Sequence, residues 1–232
     1  MNLLHATRFD LYGPVHKGLR AFLADTMQRF GSLDVEDPAQ LREACEQALE
    51  LLALLRGHVD HEDEHIHPVL DACRPGFAAQ ATDEHVAHRR QLEALAVEVR
   101  GLLAAPSYAA ADALYQNLAE LMAENLVHMR LEDVDHQAVL WAHCTDAELA
   151  ALDGRIVGSI PPTEMMTYLR WMLPAMSPPQ RLRLLSALRA GAPDTMVAAV
   201  LRLAQQHLPA AAWHRLLRDL QPADAAPRAV AG

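Results

Sequence analysis

The sequence predicts an all-α protein: an up-down-up-down four-helix bundle with an additional C-terminal helical unit. Three observations lead there. Apolar residues make up 51% of the 232 residues and aromatic residues only 5%, and Ala and Leu dominate, so local propensity favours helix nearly throughout. Apolar side chains recur at three- and four-residue spacing over four long stretches. The breaks between those stretches are short and carry Gly, Pro or Ser, which suits antiparallel neighbours.

The first helix is expected over about residues 11–30, with Pro14 in its first turn and Gly31 as its C-terminal cap. Leu11, Val15, Leu19, Phe22, Leu23 and Phe30 form its apolar stripe, and His16 sits beside the N-terminal end of that stripe. Asp37-Pro38 starts a second helix, expected over about 38–67 and ended or bent by Pro68. After the turn Arg74-Pro75-Gly76, a third helix spans about 82–104, with Glu84, His85 and His88 near its start. Pro106-Ser107 breaks the chain before a fourth helix over about 109–143. From Thr145 Arg replaces His and Pro becomes frequent, giving short helices near 146–157, 162–173, 178–190, 194–207 and 210–220. The chain therefore divides into a bundle, 1–144, and a helical unit, 145–232, with an Ala/Pro-rich tail from Gln221. No chemistry is legible in the second unit. Its Met165, Met166, Tyr168, Trp171, Met172 and Met176 read as core.

The net charge of −10 argues against non-specific binding to nucleic acid or anionic membrane. Cys45, Cys73 and Cys144 form no Cys-x-x-Cys pair, which fits a reducing cytoplasm and argues against thiolate metal ligation. No signal peptide is visible and no apolar run approaches bilayer length, so a cytoplasmic protein without a membrane partner is expected.

The chemistry lies at the end of the second helix. There the face that carries Leu51 and Leu54 becomes His58 and Glu62, with Glu62 about 40° from His58, His65 about 20° the other way and His61 about 60° off. A bundle does not bury imidazoles and a carboxylate without partners, and a metal cation answers the whole set at once. The pattern returns 70 residues later: His58-x-x-x-Glu62-Asp63 recurs as His128-x-x-x-Glu132-Asp133, and Val69-Leu70 as Val139-Leu140. In an antiparallel bundle His16 meets the end of the second helix and His85 the end of the fourth, so the candidate metal ligands are His16, His58, Glu62, His85, His128 and Glu132. Histidine with carboxylate and no thiolate suits iron, manganese or zinc. Two glutamates from opposite helices can bridge two ions and leave coordination positions for dioxygen or nitric oxide. His88 competes with His85. His61 and His65 read as partly solvated or as groups that orient ligands, while Asp60, Asp63 and Glu64 read as a solvated acidic edge. His5, His136, His143, His207 and His214 read as surface.

On His16, His58-x-x-x-Glu62 with Pro68, His85 and His128-x-x-x-Glu132, the chain resembles the hemerythrin-like (HHE cation-binding) family over roughly residues 8–143. The resemblance implies a four-helix bundle around a non-heme di-iron centre, histidine-ligated and carboxylate-bridged. Family members bind or sense oxygen or iron, or respond to nitric oxide and damaged iron centres. True hemerythrins carry two histidines four apart on the third helix, whereas Arg89 stands four after His85, which implies a more open centre. They also use an aspartate five residues after the last-helix histidine, which makes Asp133 an alternative bridge. His65 stands where the family has an aliphatic residue, with Asp135 its counterpart, and both are candidates for orienting ligands or for ligation. The expected function is a di-iron protein, two ions per chain, that binds or senses a diatomic ligand. The alternatives are an enzyme of nitric oxide or peroxide detoxification or of iron-centre repair, and a metal-responsive interaction module that forms homo-oligomers through its C-terminal helices.

Overall fold

The computed structural model describes residues 8–221, all of whose regular structure is helical. Four long helices carry the first part: α1 (Gly13–Gly31), α2 (Pro38–His61), α4 (Ala79–Ala104) and α5 (Tyr108–Leu131). α1 packs on α2 and α5, and α4 packs on the same two, so the four close into a ring. Their inward stripes form one core that includes Phe22, Leu51, Leu55, Leu95, Leu114 and Leu121. Asp37 caps α2 by accepting from the backbone N–H of Ala39 and Gln40, with Pro38 supplying a preset φ at the first position. Gly31 does not cap α1 in a left-handed conformation; it is the last helical residue, and Gly76 is the one described residue with positive φ.

The second and fourth predicted helices are longer than expected or interrupted in one specific way. α2 runs into a π turn, Glu62–Ile66, and then into α3 (His67–Cys73), while α5 runs into a second π turn, Glu132–His136, and then α6 (Gln137–His143). Pro68 therefore does not end its helix; it sits in the first turn of α3. The proline is not the cause of the widening, because Ala138 occupies its position after the second π turn. What the two share is His-x-x-x-Glu-Asp, and π turns are frequent at functional sites. The extra residue sets everything downstream back by one position, about 100°. His65, expected inward, is displaced from the ligand face and stacks on His61, while Ile66, His67 and Leu70 are buried in its stead. Likewise His136 and Gln137 turn inward and Asp135 outward. Thus His136, expected at the surface, is buried. His143, His207 and His214 are exposed, and His5 lies outside the described residues.

Five short helices follow: α7 (Asp146–Ser159), α8 (Pro162–Ala175), α9 (Pro178–Gly191), α10 (Asp194–His207) and α11 (Ala210–Asp219). A Thr145/Glu148 capping box starts α7, which packs on the first π turn. α8 lies along α1, where Trp171 stacks on Phe22 at 4.1 Å and a Cβ on Gly18 would meet Met172 Cγ at 2.8 Å. The Tyr168 hydroxyl donates to the Leu54 carbonyl at 2.9 Å, tying α8 to α2. α9, α10 and α11 pack behind α8 around Leu173, Leu185, Val200 and Ala204. Cys73 and Cys144, at the ends of α3 and α6, come within 4.0 Å Sγ to Sγ as free thiols. Among the described residues no helix is long and apolar enough to cross a membrane.

Candidate metal centre

Each of the four long helices delivers one histidine, and the ends of α2 and α5 add one glutamate each. The spacing His-x-x-x-Glu puts imidazole and carboxylate on one helical face one turn apart. His58 Nε2 lies 3.2 Å from Glu62 Oε1, and His128 Nε2 lies 3.2 Å from Glu132 Oε1. His16, near the start of α1, places Nε2 3.6 Å from Glu62 Oε1 and 3.4 Å from Glu132 Oε2. His85, near the start of α4, places Nε2 3.5 Å from Glu62 Oε2 and 3.8 Å from Glu132 Oε1. All six predicted ligand residues are thus gathered in one buried cluster. They form two groups, His16/His58 and His85/His128, and both glutamates belong to both groups.

The outer edges of the imidazoles fix their tautomers. His16 Nδ1 faces Asp133 Oδ1 at 2.8 Å, His85 Nδ1 faces Asp63 Oδ1 at 2.7 Å, and His128 Nδ1 faces Glu84 Oε2 at 2.7 Å. A carboxylate only accepts, so each Nδ1 carries a proton and Nε2, facing inward, is the nitrogen that can present a lone pair to a cation. Yet His85 Nε2 and His128 Nε2 are 2.9 Å apart, and His16 Nε2 and His58 Nε2 are 3.2 Å apart. All four carboxylate oxygens of Glu62 and Glu132 are buried without a hydrogen-bond partner. Imidazole nitrogens this close, around buried carboxylates without hydrogen-bond partners, require shared cations, either protons or metal ions. The donor set, imidazole nitrogen with carboxylate oxygen, fits a metal cation.

Electrostatics show the same demand. Burial alone would lower His16 and His128, but Asp133 and Glu62 around the first, and Glu132 and Glu84 around the second, raise both to about 9. Burial, aided by the neighbouring His16, pushes His58 well below its ordinary value, so it stays a neutral donor. Burial and the facing Glu132 push Glu62 up to about 7; burial would also raise Glu132, but His128 and His85 hold it well below the usual carboxylate range. His67 and His88 are lowered to about 4 by burial, with His85 contributing at the first and His128 at the second.

Several contributors were read otherwise in the sequence. Asp63 is no solvated edge: besides His85, its carboxylate accepts from His67 Nδ1 at 2.9 Å and pairs with Arg89. Asp133 is not at the bridging position; it holds His16 from outside and pairs with Arg20 at 2.7 Å. Arg20 and Arg89 stand 69 residues apart, as do His16 and His85, so a search for that second offset could have found both arginines. His85 faces the glutamates, whereas the buried His88 packs edge-on against His128, ring centroids 4.8 Å apart, with no partner at Nδ1. His67 and His136, turned inward by the π turns, come within reach of Glu132 from the far side. Tyr12, 1% exposed, places its hydroxyl 3.5 Å from His136 Nδ1, and burial together with Glu132 and Glu62 keeps its phenol protonated.

An all-helical protein with a buried histidine–carboxylate cluster is a cation-binding helical protein in class. The comparison with known families agrees: residues 10–136 match the family described as Hemerythrin HHE cation binding domain. The chain belongs to that family. No curated protein and no solved structure matches the chain.

Proposed function

We propose that the chain holds two iron ions in an up-down-up-down four-helix bundle and binds or senses a small diatomic ligand, dioxygen or nitric oxide. Its ligands on this reading are His16, His58, Glu62, His85, His128 and Glu132. The observation that carries the proposal is the pairing of facing Nε2 atoms across two buried carboxylates without hydrogen-bond partners, each shared between both groups. Nitrogen and carboxylate donors without thiolate suit iron, and manganese or zinc by the same chemistry. Two such ions, when bound, supply open coordination positions for a diatomic. Asp133, Asp63 and Glu84 hold the imidazoles in the tautomer that ligates. The bundle, 1–144, is the metal-binding unit, and 145–232 is the accessory one.

A catalytic reading, reduction of nitric oxide or peroxide, gains one support: Tyr12 against His136 places a buried hydroxyl, a hydrogen-bond donor, beside the cluster, which the sequence did not reveal. A role as a metal-responsive interaction module gains no comparable support. The primary reading is tested by metal analysis of protein grown in iron-replete medium, with optical spectra of oxidised and reduced forms. About two irons per chain and a charge-transfer band that bleaches on reduction are expected. Folded protein that never takes up metal would refute it.

A further inference from the structure

A cavity of about 230 Å³ lies against the metal centre on the His58 side. Its deep lining is His58, Glu62, Tyr12 and Tyr168, all buried. Its outer wall comes from α7, α8 and α9, through residues such as Ile156, Val157, Met165 and Leu184. The family match ends at residue 136, so this wall is built by helices outside the matched segment. A diatomic ligand needs no chamber of this size. An apolar cavity of about 150 Å³ already accommodates benzene.

We propose that this cavity is a binding site for an uncharged, apolar organic molecule of about six to ten carbons, seated with one end against His58 and Glu62. The walls are predominantly aliphatic and methionine side chains, which reward burial of hydrocarbon and offer little to hydrogen-bond. The charge lining selects against anions: Asp10, Glu62 and Asp153 are carboxylates, and the cation of the lining, Arg183, is exposed at the rim. Asp153 makes no hydrogen bond or ion pair among the described residues, and burial pushes it up to about 6, the mark of a medium that disfavours negative charge. The site stands whether or not metal occupies the centre, because its walls are formed by packed helices.

The test is calorimetric titration of 1-octanol into the full chain, as purified and after iron loading. Saturable binding of one molecule per chain is expected in both samples. Ile156→Trp and Ala187→Trp fill the lining and should weaken binding at least about tenfold, while Ala190→Trp, exposed on the same helix outside the lining, should leave it unchanged. In the metal-free protein octanoate should bind at least about tenfold more weakly than octanol. Ala187 is exposed, so its variant folds even where a tryptophan at Ile156 does not. Absence of saturable octanol binding in folded protein overturns the proposal, as does parental affinity in both filled variants or, in metal-free protein, equal affinity for octanoate. Failure to load iron with octanol binding intact would instead strike the metal reading alone.

Discussion

The two aspartates that follow the glutamates make a paired test of the centre, because each supports one half of it. Asp63 Oδ1 accepts from His85 and His67 and the carboxylate pairs with Arg89; Asp133 accepts from His16 and pairs with Arg20. Replacing either by Asn keeps one acceptor oxygen, removes the charge and loosens the imidazole. Losing such an orienting partner weakens metal affinity about 10–100-fold, or about 1.4–2.8 kcal/mol. Asp63→Asn belongs at the upper end, since two imidazoles share its oxygen, and Asp133→Asn at the lower. Competition of the iron-loaded protein against a chelator of known affinity reads the effect. Each variant should show one ion held as in the parent and one released early, while the double variant releases both. Glu64→Gln, exposed and without a partner, should match the parent. If both aspartate variants retain two ions with parental affinity, or if Glu64→Gln weakens binding as much, the assignment of the halves is wrong.

Glu132→Ala removes a carboxylate shared by both groups and should lose both ions, seen as metal per chain near zero after desalting in folded protein; two retained ions would contradict the bridge. Asp153 offers a pH signature. Its acid is raised from 3.8 to about 6, so the folded chain keeps a proton that the unfolded chain releases earlier. Stability from this group is therefore greatest below about pH 4 and falls as pH rises through about 6. Asp153→Asn should flatten that slope and stabilise the protein at pH 8 by at most about 3 kcal/mol in denaturant titration. A slope unchanged by the substitution would refute the reading of Asp153 as a half-buried acid without a partner. Gly18→Val drives a side chain into Met172 and its backbone and should cost about 1–3 kcal/mol, with faster proteolysis beyond residue 145. Unchanged stability and protection would mean that α8 does not dock closely on α1.

Much of the fold could be read from periodicity and punctuation. The long helices and the five short ones lie close to their expected spans, because amphipathic stripes and Asp37-Pro38, Pro106-Ser107 or Thr145 mark them locally. The cluster was legible through duplication: one His-x-x-x-Glu says little, whereas two, 70 residues apart, place like groups on like faces. Part of what the sequence did not yield follows from one physical event. A π turn rotates everything after it by about 100°, and no residue in either segment announces it. That rotation is why His65 and Asp135 were placed inward and His136 outward. Asp63 escaped notice because acids beside a helix end are ordinarily solvated, and its partners, His85 and Arg89, come from another helix.

The repeat makes the two halves of the centre alike in ligands and in the acids behind His16 and His85, but Glu84 at His128 has no counterpart at His58 among the described residues, and the rest of the chain does not respect the symmetry either. α7 packs on the first π turn and α8 along α1, so the appended helices cover the His16/His58 half. That half opens onto an apolar cavity through His58 and Glu62. The His85/His128 half is flanked by His88 and His67, both kept neutral by burial. On the proposed reading, two ions with nearly the same nitrogen and oxygen donors would sit in different dielectric surroundings. Surroundings tune potential and ligand access even when the donors match. The two ions should therefore differ in reduction behaviour, and stepwise reduction of the loaded protein should resolve two transitions. Tryptophan at Ile156 should move one of them and leave the other in place; a single transition unaffected by that substitution would show that the appended helices do not differentiate the two ions.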